Sequence, residues 1–184
     1  MKRWEILEST YLLRNPHVNV RQDRCKLPDD RVIDDFFVVE EPNYAMVLVL
    51  TPQREVVMVE QYKHGIQEVV YELPAGYFEP DGAPAVEQAR RELVEETGYD
   101  VPELMQISTH ISHPTRMSNR MYLFAGVNAQ RVAAQSLDDN EDIKVHLFDV
   151  DTVIEMIASN TINAVHTVAA FYRAWTALQH RGLV

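Results

Sequence analysis

The sequence has little cysteine, no long apolar run and no excess of basic residues, and each shortage excludes a class of protein. Cys25 is the only cysteine among 184 residues, so one chain can form neither an internal disulfide nor a cysteine-based metal site. No apolar stretch approaches the roughly 18 residues of a membrane span, and the N-terminal residues contain no signal-peptide core. The net charge of −11 argues against a basic nucleic-acid-binding face. We therefore expect a protein of the reducing cytoplasm that binds neither membranes nor nucleic acids.

The remaining composition suits one domain of ordinary size with a small extension. Hydrophobic residues make up 46% of the chain and charged residues 24%, which is enough apolar material for a core. Alternating or apolar runs bounded by turn residues predict strands at 3–13, 17–25, 31–39, 45–50, 55–62, 69–73, 104–112, 121–127 and 143–149. Helix-favouring composition predicts helices at 84–97, 151–158 and 164–179.

Two of these segments predict how the core is built. The continuous apolar run 45–50 is typical of a strand that is buried on both faces. In the last helix, Val165, Val168, Tyr172 and Trp175 recur at spacings of three and four, so we expect this stripe to pack in the core. Mixed strands followed by helices predict an α+β or α/β sandwich with a mixed sheet. Residues 1–40 form a small N-terminal antiparallel β-sheet in this prediction, and residues 41–184 form the main domain.

The helix at 84–97 carries the most informative motif, the segment from Arg91 to Gly98 (RELVEETG). Its carboxylates Glu92, Glu95 and Glu96 are spaced i, i+3 and i+4, so they share one helical face, where like charges repel. A hard divalent cation that takes oxygen ligands would turn this repulsion into binding. The same spacing also fits a solvated acidic face with Arg91 paired to a glutamate four residues away.

The residues around this cluster resemble the signature of the Nudix hydrolases. That signature begins with a glycine and a glutamate and continues R-E-U-x-E-E-x-G-U, where U is bulky and apolar. Gly76 matches the first position, and the second half matches at Arg91, Glu92, Leu93, Glu95, Glu96, Gly98 and Tyr99. The match departs in one region. Gly76 lies one residue too far from Arg91, and Ala83 stands where the first glutamate belongs, although Glu79 and Asp81 lie close enough to substitute.

Further segments resemble the ADP-ribose pyrophosphatase branch of this family, which acts on nucleoside diphosphate sugars. They are EQYKHG at 60–65, ELPAG at 72–76, Pro114 fifteen residues past Tyr99, and NED at 140–142. The resemblance implies a Nudix-type α/β/α sandwich and Mg²⁺-dependent hydrolysis of a pyrophosphate bond, with Mn²⁺ as an alternative metal. The products would be a nucleoside monophosphate and a sugar phosphate. It also implies a homodimer formed through the N-terminal sheet.

The resemblance also assigns roles to individual residues. It makes Glu92, Glu95 and Glu96 metal ligands, together with the carbonyl of Ala75, and it makes Arg91 a residue that orients the carboxylates. The general base lies in the loop 137–142, either at Asp139, the usual base position, or at Glu141. Further expected substrate contacts are Lys63, Arg116 and Arg120 for phosphate or base, and Phe36, with Trp4 and Phe37, for stacking on a nucleobase.

Two readings of the function stay open at this point. The intact RELVEE cluster favours an enzyme with ADP-ribose, or another diphosphate sugar such as GDP-mannose or UDP-glucose, as its substrate. Ala83 instead favours a catalytically inactive Nudix-like domain that binds and senses nucleotide sugars.

Overall fold

The computed structural model describes residues 2–78 and 82–184, and within these ranges the chain forms twelve strands and three helices. The strands are β1 Glu5–Arg14, β2 Asn19–Lys26, β3 Val32–Glu40, β4 Asn43–Leu50, β5 Glu55–Lys63, β6 Glu68–Glu72, β7 Ala75–Phe78, β8 Tyr99–Asp100, β9 Met105–Ile111, β10 Arg120–Val127, β11 Gln130–Arg131 and β12 Ile143–Asp149. The helices are α1 Ala85–Thr97, α2 Val150–Ala158 and α3 Val165–His180. The predicted α+β class, with a mixed sheet and a small N-terminal antiparallel sheet, is confirmed.

The chain divides into two compact units. The first comprises residues 1–43 and 111–120, and β1, β2 and β3 form its antiparallel sheet in that order. A buried carboxylate, Asp23, accepts hydrogen bonds from the Ser9 hydroxyl at 2.6 Å and from Arg21 Nε at 3.0 Å. Arg21 also pairs with Glu40, so a polar network joins all three strands. The strand β1 is exposed along its whole length and lies at the edge of this sheet.

The second unit comprises residues 44–110 and 121–184 and contains the mixed sheet. Its strand order is β12-β5-β4-β10-β9, with β6 paired to β5 and β7 paired to β4. The pairing of β10 with β4 is parallel, whereas β12 and β6 run antiparallel to β5.

Strand β4 shows how the sheet separates two hydrophobic cores. Met46, Leu48 and Leu50 pack on the side that holds α2 and α3, and the alternate residues Ala45 to Val49 pack with α1. The sheet therefore lies between helices on both faces, and the prediction that 45–50 is buried on both faces is confirmed.

Two local predictions were wrong, one of them in part. The segment 75–78 was given no strand, because residues 74–76 (Pro-Ala-Gly) are typical of a turn, but it forms β7 alongside β4. The predicted core stripe of α3 was only half right: Val168 and Trp175 pack against the core, whereas Val165 is 76% exposed and Tyr172 42% exposed. The buried residues of α3 are instead Thr167, Ala170, Phe171, Ala174 and Leu178. In the described residues, no helix is both long and apolar enough to cross a membrane.

Candidate active site

Helix α1 has well-defined ends that fix the position of its acidic face. Pro84 occupies the N-cap position, and Gly98 ends the helix in the left-handed conformation with φ +74°. The Gly98 N–H donates to the Val94 carbonyl at 2.8 Å, which is a standard glycine C-cap. A Cβ on Gly98 would also lie 3.2 Å from the Ala133 carbonyl carbon, and its oxygen would be closer still. Glycine is therefore required here both by backbone conformation and by space.

The three carboxylates of the RELVEE cluster differ strongly in burial. Glu96 is only 4% exposed, the side chain of Glu92 is 16% exposed, and that of Glu95 is 45% exposed. The helical face that carries them therefore runs from solvent at Glu95 to the interior at Glu96. A purely solvated acidic face, the alternative that the spacing left open, does not bury a carboxylate in this way.

Glu96 lies against the start of β7. The Ala75 N–H donates to Glu96 Oε2 at 3.0 Å. Burial raises the pKa of Glu96 to about 8, although this backbone hydrogen bond lowers it, and the negative charges of Glu92 and Glu141 raise it further. The nearby Lys63 charge lowers the pKa only in part. The site therefore holds a desolvated carboxylate with too little positive charge around it.

Glu92 packs directly against the backbone of Gly76. A Cβ placed on Gly76 would lie 2.5 Å from Glu92 Cγ and would overlap the carboxyl group. Burial is the largest cause that raises the pKa of Glu92, and the charges of Glu95 and Glu141 raise it as well. Because Gly76 has no side chain, the Glu92 carboxylate can occupy the space beside it.

Arg91 contacts two members of the cluster. Its Nη2 lies 3.1 Å from Glu92 Oε1, and its Nε lies 3.6 Å from Glu95 Oε2. The hydrogen bond and the charge of Arg91 lower the pKa of Glu92, opposing the effect of burial. Glu87 and Glu95 both lie four residues from Arg91 along the helix, and Glu95 is the one that Arg91 pairs with in the described residues.

The donor chemistry of this cluster fits a hard divalent cation. Among residues 2–78 and 82–184, no group of three or more His, Cys, Asp or Glu side chains is already arranged to hold a metal ion. Burial is nevertheless the largest cause that raises the pKa of both Glu92 and Glu96, and the charge of Glu92 raises the pKa of Glu96 further. The substitutes considered for the missing signature glutamate, Glu79 and Asp81, lie outside the described residues.

The loop 137–142 brings one of its acidic residues to the cluster. The negative charge of Glu141 raises the pKa of both Glu92 and Glu96, which places this side chain near them. Glu141 Oε2 accepts a hydrogen bond from the Asp138 N–H at 3.0 Å, and the Glu141 N–H donates to the Asp138 carbonyl at 3.0 Å. Asp139 lies in the same turn, but it is not among the groups with the largest effects on the pKa of either carboxylate.

Lys63 lies on the same side of the sheet as α1 and forms part of a polar group that sequence reasoning missed. Its Nζ lies 3.1 Å from Glu72 Oε2, and Gln61 Nε2 donates to the same oxygen at 3.2 Å. Glu72 ends β6, three residues before β7 begins at Ala75, and Gln61 lies two residues before Lys63. Period-two alternation along β5 was the signal that places Gln61 and Lys63 on one face.

The other predicted substrate contacts belong to the first unit. The Arg116 carbonyl accepts a hydrogen bond from the Val39 N–H at 2.8 Å, and the Arg120 N–H donates to Asn43 Oδ1 at 2.8 Å. Phe36 packs edge-to-face against Trp4, with ring centroids 5.8 Å apart. Their part in a substrate site stays a prediction.

Comparison with known proteins identifies the family. A NUDIX domain model matches residues 41–171, and a model described as the nucleoside diphosphate sugar hydrolase N-terminal domain matches residues 4–39. The chain therefore belongs to the Nudix hydrolase family, and the resemblance found in the sequence is confirmed.

Curated relatives share most of their length with this chain. It is 27% identical over 167 residues to the methanol dehydrogenase activator of Bacillus methanolicus, with 89% of each chain covered. It is 27% identical over 156 residues to the ADP-ribose pyrophosphatase of Escherichia coli K12, with 79% of this chain and 73% of that one covered. It is 25% identical over 134 residues to the ADP-ribose pyrophosphatase of Bacillus subtilis strain 168, with 72% of each covered.

A solved structure supports the fold independently. A crystal structure described as an ADP compounds hydrolase superposes on this chain with a TM-score of 0.83 at 17% sequence identity. The match covers 100% of this chain and 98% of the other, so the two chains share their fold over nearly their whole length.

Proposed function

We propose that this Nudix hydrolase cleaves the pyrophosphate bond of a nucleoside diphosphate sugar in a Mg²⁺-dependent reaction, with ADP-ribose as the first substrate to test. The observation that carries the proposal is the pairing of the buried Glu96 with the half-buried Glu92, since the charge of Glu92 raises the pKa of Glu96 and a cation bound there would stabilise the ionised form of both. The match of residues 4–39 to a nucleoside diphosphate sugar hydrolase segment and the two relatives named ADP-ribose pyrophosphatase support the substrate class.

In this proposal Glu92, Glu95 and Glu96 hold the metal together with the carbonyl of Ala75. When Mg²⁺ is bound there, it supplies charge neutralisation for the phosphate oxygens and a lowered pKa for water. Mn²⁺ has the same preference for oxygen donors and is the alternative. Arg91 orients Glu92 and Glu95 by contacting both of them.

The remaining steps use other side chains of the chain. Lys63 binds a phosphate oxygen as a point charge, exchanging its contact with Glu72 for the substrate. A loop carboxylate accepts the proton of the attacking water, which forms a bond to phosphorus in line with the bond that breaks. The charge of Glu141 acts on the cluster, which favours this residue over Asp139 as the base. Arg116, Arg120 and Phe36 remain the proposed contacts to the rest of the substrate.

The first experiment measures release of nucleoside monophosphate from ADP-ribose, GDP-mannose and UDP-glucose with and without Mg²⁺. We expect at least one substrate to be hydrolysed only with the metal, and Glu96→Gln to lose this activity. Glu87→Gln is the matched control, because Glu87 lies in the first turn of the same helix and its side chain forms no hydrogen bond or ion pair with the cluster among the described residues. Full Mg²⁺-dependent activity in Glu96→Gln would contradict the metal assignment.

A second experiment separates the two base candidates. We expect Glu141→Gln to reduce turnover by roughly 10²–10⁴-fold, as is typical for a lost acid or base, and Asp139→Asn to have a smaller effect. The reverse order of effects would assign the role to Asp139. Full turnover in both variants would show that the general base does not lie in this loop.

An inactive sensor is the second candidate function. Two observations favour it: Ala83 replaces a signature glutamate, and one relative carries the name of an activator of another enzyme. Absence of hydrolysis of every diphosphate sugar, together with saturable binding of one of them, would establish the sensor and reject the enzyme.

We also propose that the chain forms a homodimer through β1. All residues of this edge strand are exposed, and they include large apolar side chains, Ile6, Leu7, Leu12 and Leu13, that are 41–56% exposed. Unpaired apolar edge strands are costly in a monomer, since they pair with other chains. Leu12→Glu should therefore shift the mass measured by light scattering from dimer to monomer. Val165→Glu, at an exposed position of α3, should not change this mass. A monomeric mass for the unmodified chain would contradict the proposal.

A further inference from the structure

The two ends of the acidic loop 137–142 are linked by a single side chain, Gln135. The Gln135 Nε2 donates to the Ile143 carbonyl at 3.0 Å, across the two ends of the loop. The same nitrogen donates to the Glu96 carbonyl at 2.7 Å. Beside it, the Ser136 N–H donates to the Glu95 carbonyl at 2.9 Å. Both ends of the loop are therefore tied to the turn of α1 that carries Glu95 and Glu96.

These acceptors explain why an amide side chain is suited to this position. The last carbonyls of a helix have no partner within the helix, and those of Glu95 and Glu96 lie in the final turn of α1. Ile143 begins β12, which lies at the end of the strand order, and its carbonyl accepts the hydrogen bond from Gln135. One NH₂ group has two protons, so Gln135 satisfies both carbonyls at once.

Packing alone does not hold Gln135 in this arrangement. The side chain lines a cavity of about 400 Å³ together with Thr97, Tyr99, Arg131 and residues of β12. A side chain beside open space has room for other rotamers, so the two hydrogen bonds are what select this one. Loss of these two hydrogen bonds would free the two ends of the loop from each other and from α1, while both hydrophobic cores stay unchanged.

We propose that Gln135 is a positioning residue for the reaction, because it sets the register of the loop that carries Glu141 and Asp139 against the metal-binding turn of α1. This inference rests on the proposed function. Gln135 does not act on substrate, since its amide protons are already donated to two backbone carbonyls.

The test uses Gln135→Met, which keeps the length of the side chain and removes both donors. We expect kcat to fall roughly 10–100-fold, as for other residues that orient a site from behind, with KM and Mn²⁺ affinity little changed. Hydrogen exchange in residues 136–142 should become faster. Gln106→Met is the matched control, because Gln106 is exposed and its amide donates to the side chain of Thr109, away from the acidic loop. Unchanged kcat and unchanged exchange in Gln135→Met would overturn the proposal.

A double-mutant cycle distinguishes positioning of the loop from a general loss of structure. If Gln135 acts through the loop carboxylate, Gln135→Met should cost little further activity in a background that already carries the more damaging of Glu141→Gln and Asp139→Asn. If the losses of activity from Gln135→Met and from that loop substitution are additive, the proposal is overturned. Lack of activity in the unmodified protein would contradict the proposed function instead, and the exchange measurement would still decide whether Gln135 holds the loop.

Discussion

Gly76→Ala is the substitution that most directly tests whether the space at the start of β7 exists for Glu92. The added Cβ would lie 2.5 Å from Glu92 Cγ and would overlap its carboxyl group. No positive φ is involved, so alanine can adopt the strand backbone of this residue. The whole effect of the substitution therefore falls on the Glu92 side chain, which has to move.

The expected magnitudes separate function from stability. Displacing a carboxylate by about 1 Å costs activity on the order of 10²-fold where geometry is set by several groups. The stability change should stay within about 1 kcal/mol, because the gain of roughly 0.5–1 kcal/mol from replacing a strand glycine offsets part of the clash. We therefore expect a folded protein with little Mg²⁺-dependent hydrolysis.

The assay pairs the rate of monophosphate release with the urea midpoint of each variant. Gly65→Ala is the control, because a Cβ there meets no atom within 4 Å. In a Glu92→Ala background, Gly76→Ala has no side chain to displace, so any destabilisation that it causes should disappear. Full activity in Gly76→Ala would refute the reasoning, and so would a loss of stability that persists in the Glu92→Ala background.

Three other substitutions have different expected outcomes. Gly98→Ala should lower the free energy of unfolding by at least about 1 kcal/mol in urea titrations, because it adds left-handed strain and a clash with the Ala133 backbone. With EDTA present to remove metal ions, burial raises the pKa of Glu96 from its ordinary 4.5 to about 8. The stabilisation of the folded protein that comes from the neutral Glu96 carboxyl group is complete below pH 4.5 and is lost as the pH rises through 8. Glu96→Gln should remove this pH dependence and be more stable than the parent near pH 8, by on the order of 4 kcal/mol. Thr167→Val should raise the melting temperature by an amount equivalent to about 1 kcal/mol, because the buried Thr167 hydroxyl lacks a hydrogen-bond partner in the described part of the chain.

Segments with a strong local pattern were predictable from the sequence. The apolar run of β4 and the helix that ends at Gly98 were correctly placed, because burial on both faces and a glycine cap leave direct marks on composition. Strand β7 was missed, since Pro74, Ala75 and Gly76 favour a turn locally and only pairing with β4 makes the segment extended. In α3, small residues such as Ala170 and Ala174 are among those fully buried, so a stripe of larger side chains predicted only Val168 and Trp175 correctly.

The candidate site likewise contains some residues that could be predicted from the sequence and others that could not. The motif identified Glu92, Glu95 and Glu96 because their spacing is local to one helix. Gln135 could not be found in the sequence, since its importance depends on where the ends of α1 and β12 meet. Glu72 was missed for the same reason, because its contact with Lys63 depends on the pairing of β5 with β6.

The different environments of the three glutamates explain how one helical face can serve both the fold and the proposed reaction. Glu95 is half-exposed, so its charge costs little in the folded chain and its side chain can rotate. Glu96 is buried with a single backbone donor from Ala75, so its ionised form destabilises the fold when no cation is near. That unfavourable energy becomes part of the binding free energy of any cation that joins the carboxylates, since binding removes the repulsion. A more stable apolar residue at position 96 would therefore be expected to weaken metal binding, which gives a physical reason for keeping a buried acid there.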